Sequence, residues 1–417
     1  MTARPTPSVE TLPNGLTLVV APAVTAGVAT VAVHVGVGSR AEPAAWSGLA
    51  HLFEHLMFAG SAHVEPGGHF AAVEAVGGRV GGHTRLDHTE LFDVVPAEAV
   101  PDVVGLEADR LAGPRLAPDT LATQVDVIRA EVAQQVTGAP YGGFPWLYLP
   151  PVMYPSPRNT HDGYGDVSAL AEVTVEDCAR FFDTWYDPRR VVVTLEGDVT
   201  ASADAARELL AAVPRRGTGP LPPTGLDEPL LTADRHEVRA ARNVPEPVWA
   251  VGFRLPDPVR SPALHAACTA LTLLLPVHAP ELRLTARSGW YGVPADARSP
   301  DALVLSTHPR PGVTGGQLTA GMRDLLAQWG RRAPAPPVLR TAAARLRLVQ
   351  HQRAERLGHR ARRLGACQLL YGDARLDESL DPAAALDRDL LADAAEHLLD
   401  QHVASVLVEP AGTGEAP

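Results

Sequence analysis

Apolar positions come in short strand-like runs over residues 9–40, LTLVVAP and VATVAVHVGVG, with Asn14-Gly15 marking a turn. The pattern then changes. Gly48 to Gly60, GLAHLFEHLMFAG, is rich in Leu, Phe, Met and Ala with no proline inside, and predicts a buried helix. Ser47 is placed to cap its start. Phe70–Val76 predicts a second helix ended by Gly77-Gly78. Residues 79–95 predict two short strands or one bent hairpin, and 98–112 and 118–137 two further helices. An aromatic, Pro/Gly-rich passage over 138–166 is too long for an ordinary turn; His161 within it reads as structural. A second Pro/Gly-rich stretch, 213–230, predicts a linker between two halves. Beyond it come a strand over Pro247–Pro256, a helix from Pro262 to Leu275, and a long helical pattern from Val338 to Arg363. Leu339, Leu346, Val349, Leu357 and Leu364 mark the apolar side of that last pattern. Its arginines, among them Arg345, Arg353, Arg360, Arg362 and Arg363, predict a solvated basic face. The tail AGTGEAP reads as disordered.

Composition narrows the picture a little. A chain of 417 residues suggests two or more domains. A net charge of −12 argues against general nucleic-acid binding, which needs a basic footprint. Cys178, Cys268 and Cys367 are far apart and form no C-x-x-C pair, so they support neither a disulfide framework nor a cysteine metal site. The first residues lack the apolar core of a signal peptide, and no apolar run reaches the length of a membrane span. A soluble cytoplasmic protein without membrane contact is the expectation.

The chemistry concentrates in the helix predicted at Gly48–Gly60. It carries His51, Glu54 and His55, an H-x-x-E-H arrangement. Residues four apart share a helix face, so the two imidazoles can serve one metal ion. Glu54 borders that face and can take a proton from a nearby water without being a ligand itself. This is the inverted form of the H-E-x-x-H zinc motif. Such a site needs a third protein ligand and an open position.

The flanks of the motif resemble the M16 family of zinc peptidases, the pitrilysin, insulysin and mitochondrial processing peptidase group. The resemblance runs from Thr11–Leu16 (TLPNGL) through Val35–Glu42 (VGVGSRAE) and Gly48–Ser61 to Phe181–Val199. It implies an α+β fold of two tandem related units, each a mainly antiparallel sheet covered by helices: residues 1–215, bearing the zinc, and 216–417, metal-free. It implies one Zn2+ per chain, with His51 and His55 as ligands and Glu54 as the base. The third ligand implied is Glu131, which follows His55 by 76 residues within VIRAEVAQQ. Gln124 stands where the family has a second glutamate that supports the ligand set. Residues 79–95 resemble the edge strand on which the family seats its substrate, with Thr84 and Thr89 at the family threonines. Gly81-Gly82 replace an Asn-Ala pair, and His83 lies beside them. Substrate would add there as an extra strand. In the second half, ELRLTARSGWYGV resembles the family stretch whose Arg and Tyr hold the scissile carbonyl. Tyr291 matches the Tyr, while Arg283 is one residue further from it than the pattern asks. Short members of the family work as dimers, and the displaced Arg283/Tyr291 pair makes a heterodimer with a related subunit the expectation over a homodimer.

The reading is thus a zinc metalloendopeptidase acting on extended peptides inside an enclosed chamber, as the metal-bearing subunit of a dimer. A non-catalytic or weakly catalytic subunit of the same fold is the alternative. A hydrolase of small-molecule amides is a further one.

Overall fold

The computed structural model describes residues 5–23, 27–42, 46–160, 163–217, 219–222, 227–310, 312–331 and 334–411. His161 and all but the first residue of the AGTGEAP tail lie outside them.

The chain forms two compact units. The first comprises residues 1–129, 163–224 and 352–377. Its sheet has six strands: β1 (Ser8–Thr11), β2 (Thr17–Pro22), β3 (Val28–Val35), β4 (Arg79–Thr84), β5 (Thr89–Pro96) and β6 (Val191–Gly197). The order is β1-β2-β6-β3-β5-β4, with only the β2–β6 pair parallel. The interior strands are dense in β-branched residues: β3 reads VATVAVHV and is buried along nearly its whole length, as fits a strand covered on both faces. Four helices matter to the site: α1 (Leu49–Leu56), α2 (Gly68–Ala75), α3 (Val100–Ala112) and α4 (Pro118–Val132). α1 leans on β4 and β5, and the helix His359–Tyr371 packs on β3 and β6. β4 forms one edge of the sheet and pairs, among the described residues, with β5 alone.

The second unit comprises residues 130–162, 225–351 and 378–417. Its strands are β7 (Arg235–Ala241), β8 (Val248–Arg254), β9 (Thr285–Ser288), β10 (Ala302–Thr307) and β11 (Ala404–Pro410), in the order β7-β11-β8-β10-β9. β7–β11 is parallel and the other pairs are antiparallel. One core holds the unit together, with Trp249, Phe253, Leu271, Leu326, Leu391 and Leu398 all buried. Leaving β1 aside, both sheets share one strand order: a parallel pair, then three antiparallel neighbours. In each, a helix follows the middle strand, α1 after β3 and Pro262–His278 after β8. The fold is α+β, two tandem related units of mainly antiparallel sheet with helices. The division expected at 215/216 follows chain order; by compactness, 130–162 group with the second unit and 352–377 with the first.

Three local expectations are corrected. The helical pattern from Val338 is two helices, Pro336–Ala354 and His359–Tyr371, parted at Gly358, whose φ of 78° a side chain would oppose. Its C-terminal arginines are not a solvated face: Arg360 and Arg363 are buried, and Arg362 pairs with Glu90 through Nε at 3.0 Å. The helix expected to end at Leu275 continues through Pro276 to His278. No helix among the described residues is long and apolar enough to cross a membrane.

Candidate metal centre

The motif helix α1 has only eight residues, too few to be stable alone, so its neighbours fix it. Phe53 is fully buried, its ring 4.7 Å from that of Phe181 and 5.4 Å from that of Tyr186. Ser47 is not the cap. The N-cap is Gly48, in the left-handed region at φ 96°. The first N–H groups are satisfied from outside the helix by the buried Glu42 carboxylate, which accepts from Gly48 and Ala50, each at 2.7 Å. An anion is favoured at this end of a helix, and a side chain six residues upstream reaches where a serine hydroxyl does not.

His51 and His55 emerge on one face of α1, their ring centroids 4.8 Å apart and nearly perpendicular. Glu131 rides on α4, whose first three turns belong to the first unit. The ligating atoms of His51, His55 and Glu131 all lie within 4.8 Å of one another. His51 is buried; His55 and Glu131 are half-buried. Two imidazoles and one carboxylate, reachable from solvent, are the donor set of a zinc site that keeps an open position, so these residues fit the ion. Glu54 is turned towards β4: the Thr84 hydroxyl donates to its Oε2 at 2.8 Å. Beside Glu54 and His55 opens a cavity of about 510 Å³ lined by Phe58, Phe70, Pro66, Gly81, Gly82 and Gln124, among others. Gln124 therefore faces this cavity, two turns before Glu131 on α4.

Gly81 and Gly82 have steric reasons. A Cβ on Gly81 would stand 2.6 Å from the Phe92 ring, and one on Gly82 would stand 3.0 Å from Glu54 Oε1. The Phe92 ring is held in turn by Arg362, whose guanidinium sits 4.3 Å from its centroid. His83, the next residue, is exposed on the edge strand.

Among the described residues, two other groups have metal-ligand geometry, His34/His88/Glu90 and His69/Asp93/Glu107. Both are buried: His69 is not the ordinary surface histidine its loop suggests, nor His88 the partly exposed strand histidine its neighbourhood suggests. Charge argues against a metal in either. Glu90 is taken by Arg362 and approached by Arg85 at 3.5 Å. Burial pushes the Glu90 pKa up, but His34 and Arg362 overcome it and hold it well below the ordinary carboxylate value. A divalent cation would join two guanidinium groups there. In the second group Nε and Nη2 of Arg110 both donate to Glu107, and His69 Nε2 meets Asp93 Oδ1 at 3.1 Å. Two carboxyls and one guanidinium are neutral once a single proton is bound. Burial, with Asp93 adding to it against Arg110, raises the Glu107 pKa to about 7, while burial and then Arg110 lower that of His69 to about 4. The proton thus sits on a carboxyl, not on the imidazole.

Glu107 binds more protons folded than unfolded between about pH 4.5 and 7, so its contribution to stability falls as pH rises through that window; His69 contributes the opposite slope between about 4 and 6.5, and the two offset each other. Glu107→Gln removes the falling term. Its stability relative to the parent is expected to rise from pH 4.5 to 7 by roughly 1–3 kcal/mol and then level off. Denaturant melts across that pH range measure it, and a pH-independent difference would refute the protonated carboxyl.

In the second unit, Arg283 is exposed, in a left-handed conformation (φ 47°) after the turn Pro280–Leu282. Arg287 lies on the edge strand β9, and Tyr291 follows it, half-buried, after the buried Trp290. Sequence reading passed over Tyr164, whose ring stands edge-on to His51 at 5.1 Å between centroids. It lies in a passage without periodicity. Glu42 was read only as part of a resembling strand and turn; the signal available was an acid shortly before a helix start.

His51, His55 and Glu131 together present the donor types that a zinc ion with an open position takes. Residues 18–139 match the family model described as insulinase (peptidase family M16). An uncharacterized zinc protease of Mycobacterium tuberculosis is 30% identical over 226 residues, 51% of this chain and 51% of its own length. The zinc protease PqqE of Helicobacter pylori is 28% identical over 193 residues, 46% of this chain and 43% of its own. The chain spans about half the length of the curated relatives it matches. In fold it is similar to a protease from Helicobacter pylori (TM-score 0.86, 20% identity, 98% of this chain and 100% of that one). It is also similar to a peptidase M16 inactive domain from Pseudomonas fluorescens (TM-score 0.79, 17% identity, 98% and 99%).

Proposed function

We propose that this chain is a zinc-dependent endopeptidase for extended peptides and the metal-bearing subunit of a dimer. The observation that carries the reading is the meeting of three things: the His51/His55/Glu131 donor set, Glu54 beside it, and an edge strand against Glu54. His51, His55 and Glu131 hold the ion, and Gln124 supports them. When bound, zinc supplies Lewis acidity to the cleavage. Glu54 takes the proton of the attacking water and returns it to the leaving amine. The main chain of β4 around Gly81–Thr84 takes the substrate as an added strand, and an apolar side chain next to the scissile bond enters the cavity that Phe58 and Phe70 line. The oxyanion needs a second donor, either Arg283 and Tyr291 or a donor from a related subunit. In this reading residues 1–215 and 216–417 are the tandem units in chain order, and the protein works in the cytoplasm.

Metal analysis tests it. The purified protein is expected to carry about one zinc per chain, and a chelator should abolish cleavage of a peptide panel while small-molecule amides go uncleaved. Metal content near zero after zinc-supplemented expression would overturn the assignment. The inactive M16 domain among the similar folds makes the non-catalytic subunit the second reading. Zinc bound with no cleavage in any pairing would favour it.

A further inference from the structure

A glutamate serving as base has three rotatable bonds, and its carboxylate must be held at one place for the reaction to be fast. Two residues of β4 do this holding. Thr84 donates its hydroxyl proton to Glu54 Oε2 at 2.8 Å, and its approach to the Ala50 carbonyl is longer, 3.4 Å. Gly82, two residues back and so on the same strand face, offers no Cβ where one would stand 3.1 Å from Glu54 Cγ.

Helix and strand are separate elements, so something must set their spacing. The turn Gly38–Glu42 grips both. On the strand side, Ser39 and Arg40 donate their N–H groups to the carbonyls of Arg85 and Leu86 at 3.0 and 2.9 Å, and Arg40 pairs with the buried Asp87 at 2.8 Å. The approach is so close that a Cβ on Gly38 would stand 2.3 Å from the Arg85 carbonyl oxygen. On the helix side, the Glu42 carboxylate holds the N–H groups of Gly48 and Ala50. Thus five residues join the turn that ends β4 to the first turn of α1.

We propose that Thr84 is a positioning residue that fixes the Glu54 carboxylate, and that the Gly38–Glu42 turn is the brace holding β4 and α1 at the spacing this hydrogen bond requires. The proposal rests on the assignment of Glu54 as the base. It commits the Thr84 hydroxyl to the protein's own carboxylate, leaving the main chain of β4 to take the substrate.

Thr84→Val and Thr84→Ser, made in the full chain and assayed with its partner where activity needs one, test it. A hydrogen bond to a charged group predicts a fall in kcat of about 10- to 100-fold for Thr84→Val. KM should stay within about twofold and zinc content unchanged, with Thr84→Ser recovering most of the rate. A raised KM at unchanged kcat would overturn the proposal, because it would put the hydroxyl on the substrate. Glu42→Gln should lower kcat in the parent but add little in the Thr84→Val background; full additivity would overturn the brace. A crystal structure of zinc-loaded Thr84→Val reads the same point without turnover. The Glu54 carboxylate is expected to leave its parental position, and finding it there unchanged would overturn the proposal even if the chain cleaves no peptide.

Discussion

Glu54→Gln is expected to keep its zinc and lose peptide cleavage by about 10²- to 10⁴-fold. The amide has the size of the carboxylate, and its oxygen can still accept from Thr84 Oγ1, so the local packing around Gly82 and Leu91 survives. What it cannot do is take up a proton. His55→Ala and Glu131→Ala act at another point: each removes one of three donor atoms that lie within 4.8 Å of one another, and each should lose metal and activity together. Metal analysis beside kinetics separates the two classes. Substantial turnover by Glu54→Gln would move the proton transfer to some other group.

The second large effect concerns partnership. Alone, the chain is expected to bind zinc and cleave peptides poorly. Adding a related subunit that supplies an oxyanion donor should raise the rate by about 10²- to 10³-fold. The reason lies in the second unit. Its helix Pro262–His278 follows β8 as α1 follows β3, yet it reads PALHAACTALTLLLPVH and carries no second H-x-x-E-H. Arg283 sits on a left-handed residue after a short turn, eight positions before Tyr291, so the pair does not have the spacing the family pattern asks. Full activity from this chain alone, abolished by Tyr291→Phe, would refute the heterodimer and return the carbonyl-holding role to the second unit.

Much of the site was legible because α1 packs its chemistry into five consecutive residues. The edge strand was legible too, through its glycines and threonines. Glu131 was reached only through resemblance, since no period links residues 76 apart. What the sequence hid is tertiary. His69 looks like a surface residue and His88 like a partly exposed one until Arg110, Asp93 and Glu90 are seen to bury with them. Arg360, Arg362 and Arg363 look solvated until the sheet their helix covers is known. β7, RHEVRAA, is mostly exposed and polar, so no alternation announced it. Gly358 did offer a breaker signal within the long helical pattern.

The helix His359–Tyr371 has a consequence for how the chain comes to be folded. It closes over β3 and β6, gives Glu90 its guanidinium partner, and buries Leu364 against Val19, Ala21 and Val192. Yet it is made long after every strand of that sheet. During synthesis the sheet must wait, one face bare and Glu90 without Arg362, until residues of the late segment 352–377 leave the ribosome. A fragment cut at residue 215 would stay in that waiting state. The protein is therefore expected to resist dissection into halves.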